Sequence, residues 1–171
     1  LPQYVETAGL KIDGAIWFRR EVDVPVAWVS KDLELSLAAI DDYDTTYFNG
    51  KRVGGIGSET PNSYIVQRRY KVPAELVKPG KNIIAVRVFD SVGEGGFGPG
   101  KMALAVAGAN DSTAIPLEGE WKYKLERELT PKNPDWGSRP EAPGPTNQNS
   151  PSVLYNAMLA PITPYAIRGA I

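Results

Sequence analysis

Period-two alternation of apolar and polar residues runs from Gly14 to Arg127, and it confines the chain to β-structure. Successive side chains on a strand point to opposite faces, so strict alternation marks a strand with one buried face. In Ala15–Val24, Ile16, Phe18, Val22 and Val24 share one face, while Trp17, Arg19, Glu21 and Asp23 take the other. Pro25 cannot donate to a ladder and ends that strand. Leu33, Leu35 and Leu37 alternate next. Tyr43–Phe48 then runs into Asn49-Gly50, a dipeptide suited to a type I′ hairpin because both central positions need positive φ. Lys51–Ile56 is the expected return strand. Tyr64–Val72 and Asn82–Asp90 alternate again, separated by a single helical turn at Pro73–Val77 and a turn at Lys78-Pro79-Gly80. Met102–Ala107, Ala114–Leu117 and Glu120–Glu126 complete the set, the last with Trp121, Tyr123 and Leu125 on its core-facing side. About eight or nine strands and almost no helix predict an all-β fold, an antiparallel two-sheet jelly-roll sandwich.

What the chain lacks restricts its chemistry. It contains no histidine and no cysteine, which excludes a Ser-His-Asp or Cys-His arrangement, a His/Cys zinc site and a disulfide. Catalysis within it would rest on carboxylates, Lys, Tyr or an oxygen-ligated metal, and no cofactor is called for. The formal net charge is -1, so no electrostatic footprint for nucleic acid or an anionic membrane exists. No apolar run approaches the roughly 18 residues of a membrane-spanning helix. Leu1-Pro2-Gln3, without Met or a signal peptide, reads as the start of a processed or excised chain.

Composition shifts after Arg127. Pro131–Pro151 is rich in Pro, Gly, Asn and Ser, so 128–151 reads as a linker or a surface strap. Residues 152–171 turn apolar again, with helical turns expected at Val153–Leu159 and a strand start at Tyr165–Ile171. Twenty or so residues cannot bury that surface alone. They are expected to pack on the sandwich or a missing domain, or to mediate self-association.

Several groups are candidates for binding. Gly93–Gly100 is Gly-rich but lies between strands, whereas a phosphate cradle opens a helix. It is either a flexible connection or a ligand-facing loop with Phe97 as an apolar platform. Asp41, Asp42 and Asp44 form the densest acidic cluster, and alternation puts Asp42 and Asp44 on one face. They suit turn capping, an oxygen-ligated Ca²⁺ site or, least of all, a glycosidase-type carboxylate pair. Arg19/Arg20 and Arg68/Arg69 lie inside strands, so one of each pair points inward and needs a carboxylate such as Asp44 or Asp90. Of Trp17, Trp28, Trp121 and Trp136, Trp17 is the most exposed candidate for stacking on a sugar. Asn49 is turn chemistry first and a ligand contact second. Asn110-Asp111-Ser112 matches a glycosylation sequon.

Gly14-Ala15-Ile16-Trp17-Phe18-Arg19-Arg20-Glu21-Val22, Tyr47-Phe48-Asn49-Gly50-Lys51-Arg52-Val53-Gly54 and Pro79-Gly80-Lys81-Asn82-Ile83-Ile84-Ala85-Val86-Arg87-Val88 resemble the sugar-binding, galactose-binding-like jelly roll of family 2 glycoside hydrolases. Asp90–Phe97, Leu117–Tyr123, Ser152–Pro161 and Pro164–Ile171 are more similar to bacterial sialate O-acetylesterases, whose SGNH-hydrolase domain is split by such a jelly roll. The resemblance implies a jelly roll over 1–127, the linker 128–151, and at 152–171 the re-entry of the catalytic domain. It further implies a periplasmic or extracellular parent that hydrolyses acetyl esters on sialic acid or a related glycan. The rest of that catalytic domain would be the partner. The family's nucleophile, oxyanion-hole and Asp/His blocks lie outside this chain, so no catalytic residue carries over and the chain alone is expected to be inactive. The residues expected at the substrate cleft are Asp90, Glu94, Gly95, Gly96 and Phe97, with Trp17 and Asn49 added. An independent carbohydrate-binding module and a structural spacer are the other roles open to it.

Overall fold

The computed structural model describes residues 1–109 and 113–129. Ten strands are present: β1 (Gly14–Val24), β2 (Leu33–Asp41), β3 (Tyr43–Phe48), β4 (Lys51–Ile56), β5 (Gln67–Val72), β6 (Gly80–Asp90), β7 (Gly96–Phe97), β8 (Met102–Val106), β9 (Ile115–Pro116) and β10 (Lys122–Glu128). They form two antiparallel sheets, ordered β10-β1-β6-β3-β4 and β5-β2-β8-β9, with β7 pairing on β2. The all-β sandwich expected from alternation is what forms. Its core is made by the inward sets of both sheets, including Phe18, Val86 and Phe48 from the first and Leu35, Val72 and Leu104 from the second. Helical structure includes single 3₁₀ turns at Val26–Trp28, Ser63–Ile65 and Ala74–Leu76. No described helix is long and apolar enough to cross a membrane.

The Asn49-Gly50 hairpin has φ of 48° and 79° at its two central residues, as a type I′ turn requires. Two other expectations are corrected. The strand expected from Tyr64 starts only at Gln67, because Asn62 takes a left-handed conformation and Ser63–Ile65 coils into a 3₁₀ turn. Nor does β10 bury a full inward face. Trp121 packs partly against the core, but Tyr123 and Leu125 are 56% and 38% exposed, since β10 is the edge strand of its sheet. The sequon at 110–112, Trp136, the linker and the segment 152–171 with its predicted helical turns, strand start and self-association lie outside the described residues.

One inward arginine finds the carboxylate it needs. Arg68 on β5 is the largest fully buried side chain. Its Nε donates to Asp44 Oδ1 on β3 at 2.9 Å, and its Nη atoms donate to the carbonyls of Ser63, Val66 and Asp42. Asp44 accepts further bonds from Thr46 Oγ1 at 2.7 Å and from the Tyr70 hydroxyl at 2.8 Å. Burial, then the charge of Asp44, pushes the Tyr70 phenol up from its ordinary range. The Tyr70 ring reaches this position over Gly54, where a Cβ would lie 2.0 Å from a ring carbon. Arg20 satisfies itself differently: Nη1 donates to the Leu117 and Glu118 carbonyls at 2.9 and 2.8 Å, so the carboxylate partner expected for it is replaced by backbone.

The Asp44–Arg68 pair joins the two sheets, and removing either partner strands a charge in the core. Arg68→Met is expected to cost about 3–5 kcal/mol in urea unfolding. Adding Asp44→Leu to it should recover most of that loss. A double variant no more stable than Arg68→Met alone would argue that the charges are not what the site depends on.

Candidate functional site

The loop between β6 and β7 is held by three carboxylates from three separate segments. Asp90, the last residue of β6, accepts the Val92 N–H at 3.1 Å. Asp42, between β2 and β3, accepts both the Ser91 N–H at 3.0 Å and the Ser91 hydroxyl at 2.6 Å. Glu6, from the N-terminal segment, accepts the Gly95 N–H at 3.0 Å. An Asp side chain accepting the backbone N–H two residues on, as Asp90 does from Val92, forms such a turn readily. Val5 N–H to the Gly95 carbonyl and Phe97 N–H to the Gln3 carbonyl close the loop against the N-terminal segment.

Glycine is required at two points. At Gly95 a Cβ would come within 2.6 Å of Asp90 Oδ2, and Gly96 has φ of 105° with the Gln3 carbonyl 3.0 Å from where its Cβ would sit. The other wall is set by β2. Its register against β5 shifts between Ser36 and Ala39, where Ala38 takes φ of 61°. Beyond that bulge β2 pairs with β7, Asp41 opposite Gly96. Bulges re-aim side chains in this way, and here the bulge brings Asp41 to the loop.

The charges are crowded. Asp90 is 2% exposed, and its Oδ2 and the Oε1 of Glu6 accept no hydrogen bond. Burial first, opposed by the Val92 N–H and reinforced by Asp13, Asp42 and Glu6, raises Asp90 to about 7. Burial, Asp42 and Glu94 raise Asp41 to about 6. At neutral pH this end of the sandwich therefore carries carboxyl groups on the point of protonation beneath an exposed tip of Val92, Gly93 and Glu94.

The structure redistributes the predicted site residues. Phe97 is no platform: it is 1% exposed and meets Phe18 edge-on at 5.2 Å in the core. Gly95, Gly96 and Asp90 are buried and build the loop from beneath, which leaves Glu94 as the member of that group that faces solvent. Asn49 has its polar atoms fully engaged. Its Nδ2 donates to the Leu76 carbonyl and Asn82 Oδ1, and its Oδ1 accepts the Ile83 N–H, so it is a structural hairpin residue. Trp17 lies half-buried on the outward face of the first sheet, three residues along β1 from Gly14, the register partner of Asp90, and donates Nε1 to Glu126 Oε2 at 2.6 Å. Asp42 and Asp44 do not act together as a Ca²⁺ pair: Asp44 is spent on Arg68 and Asp42 on Ser91. Among the described residues no group of three or more acidic side chains is arranged to hold a metal. Glu6 and Asp41 escaped the sequence reading as loop partners. A β2 bulge and a contact spanning 89 residues carry no local signal.

No protein-family model matches the chain, and no curated protein matches it. Solved structures similar to it include a beta-glucuronidase of an uncultured Clostridium sp., with 23% identity, TM-score 0.38, and coverage of 45% of this chain and 12% of that one. The Ruminococcus gnavus beta-glucuronidase is similar at 20% identity and TM-score 0.41 over 48% of this chain and 13% of that one. The same enzyme in complex with uronic isofagomine aligns equally, at 20% identity and TM-score 0.41, with 48% and 13% covered. The chain thus spans 12–13% of the length of these proteins.

The raised carboxyls set a pH dependence. Asp90 and Asp41 hold protons in the folded chain that an unfolded chain, with its Asp near 3.8, has released. The contribution of these two groups to folding stability therefore rises as pH falls from 8 to about 5, against the N-terminal amine, whose burial acts in the opposite sense near pH 8. Asp32 and Glu126, lowered by Lys71 and Arg87 respectively, act in the opposite sense and below that window. Asp90→Asn should stabilise the fold by about 1–3 kcal/mol at pH 8 and flatten the rise in Tm between pH 8 and 5. A Tm profile identical to that of the parent sequence would refute the assignment.

Proposed function

We propose that the chain is a non-catalytic jelly-roll module of a larger carbohydrate-active enzyme, inserted in an O-acetylesterase of the sialate type and bordering its substrate cleft. The reading rests on the sequence resemblance and on one structural observation: the Ser91–Gly95 loop is held at Ser91, Val92 and Gly95 by Asp42, Asp90 and Glu6. A loop bonded at both its ends confines where Glu94 projects, which is what a positioning surface needs. In this reading the parent acts outside the cytoplasm, as the resemblance implies, and supplies the nucleophile and its base, since a chain without histidine cannot supply the usual base.

Charge decides which part of a glycan the tip faces. Glu94 and Asp41 can accept hydrogen bonds from hydroxyls, and with Asp42 they repel a carboxylate. The tip therefore addresses the neutral hydroxyl-bearing portion of a sialylated glycan, and the acid group of the sugar points away from it.

On its own the chain should hydrolyse neither p-nitrophenyl acetate nor O-acetylated sialic acid above the buffer rate. Titration followed by amide chemical shifts should move Val92, Gly93 and Glu94 with methyl β-galactoside more than with sialic acid, at millimolar concentrations. Glu94→Ala should abolish those shifts without moving Tm. Hydrolysis by the chain, or a tip that responds only to sialic acid, would defeat the proposal.

A further inference from the structure

The outward face of the first sheet carries more aromatic surface than a solvated face needs. Tyr43 on β3 and Phe89 on β6 are register partners, and their rings stack at 6.3 Å with 7° between planes. Trp17 and Tyr47 meet beside them at 5.6 Å. All four rings are half-buried. Next to the Tyr43–Phe89 pair lies a hollow of about 280 Å³ whose lining includes Thr45, Arg52, Glu59 and Arg87.

Glycine makes the hollow. Lys51–Ile56 and the residue after it contain Gly54, Gly55 and Gly57. A Cβ on Gly55 would meet the Asp44 carbonyl at 2.5 Å, and one on Gly57 would meet Glu59 Oε2 at 2.5 Å. On the β4 side the hollow is therefore bare backbone at Gly55, flanked in the lining by Arg52 and Ile56, and Tyr43, Thr45, Arg87 and Phe89 line it from β3 and β6.

The charges around it cancel. Arg87 is neutralised by a two-point bond to Glu126, Nε to Oε2 at 2.7 Å and Nη2 to Oε1 at 2.9 Å. Asp44 is neutralised by Arg68. Arg52 and Glu59 remain, one of each sign. Arg52 is exposed and makes no ion pair among the described residues, and Glu59 uses one oxygen on the Gly57 N–H at 3.1 Å. Such a site has no net pull on an anion or a cation. It offers a ring stack, a five-donor fork and a carboxylate acceptor side by side. A pyranose ring is the ligand that uses all three, with C–H groups against the aromatic pair and hydroxyls that both donate and accept. The volume lies just below the roughly 300–1,000 Å³ of sites for larger ligands, which suits one sugar unit.

We propose that this hollow is a second carbohydrate site, specific for a neutral pyranoside and separate from the loop tip. It stands whether or not the parent is an esterase. The test is a titration of the chain with methyl β-glucoside and methyl β-galactoside to 50 mM, followed by amide chemical shifts. Saturable shifts are expected at Tyr43, Thr45 and residues 55–57. Arg52→Ala, an exposed change that leaves the fold intact, should weaken that binding at least fivefold, as should Phe89→Ala with Tm recorded as a control. Glu94→Ala should leave it unchanged, so failure at this site and failure at the tip can be told apart. No saturable shift in this region, or an Arg52→Ala variant that binds equally well, would overturn the proposal. So would concentration-dependent dimerisation that Phe89→Ala abolishes without any response to sugar, which would assign the face to a second copy of the chain.

Discussion

The buried contact between Asp44 and Arg68 is the constraint around which this sandwich closes. It is a charge pair placed between two sheets whose facing sides are otherwise mostly apolar. A buried pair is tolerable only if every remaining donor and acceptor is met. Arg68 meets that condition through three backbone carbonyls, and Asp44 through Thr46 and Tyr70. Each of those bonds dictates local structure. The chain before β5 coils into a 3₁₀ turn that presents the Ser63 and Val66 carbonyls, and β4 carries glycine where the Tyr70 ring passes. A strand that alternation would have started at Tyr64 is shortened for the same reason.

The pair also shapes both candidate sites. Arg68 donates to the Asp42 carbonyl, and the Asp42 side chain holds Ser91 at the start of the β6–β7 loop. Gly54 admits the Tyr70 ring between the sheets, and Gly55, close to the Asp44 carbonyl, lines the hollow beside Tyr43 and Phe89. One internal ion pair thus lies behind an acidic loop and an open aromatic hollow on a different face.

Much of the fold was legible from residues alone. Ile16, Phe18, Val22 and Val24 are buried where alternation put them, Asn49-Gly50 makes the turn its φ preference demands, and Arg68 pairs with Asp44 as a buried arginine must. The candidate site was legible only in its location. Phe97 looked like a platform because it follows a glycine run, yet β7 is pinned to β2, which turns the ring into the core against Phe18. Asp90 looked like a ligand contact, yet the same pinning seals it under the loop. Glu6 and Asp41 gave no sign, since one arrives from the N-terminal segment and the other is re-aimed by a bulge at Ala38.

By itself the sequence determined the all-β class, the hairpin, the inward faces of the long strands and the absence of histidine-based chemistry. These follow from period, turn chemistry and composition, which are local. Tertiary structure alone decided which carboxylates crowd together, which glycines open a hollow and which aromatic rings remain outside. The physical reason is that solvation and charge depend on neighbours brought from distant positions. An Asp in a sequence has an ordinary carboxyl, and only the folded chain, by burying Asp90 beside other acids, makes it hold its proton near neutrality.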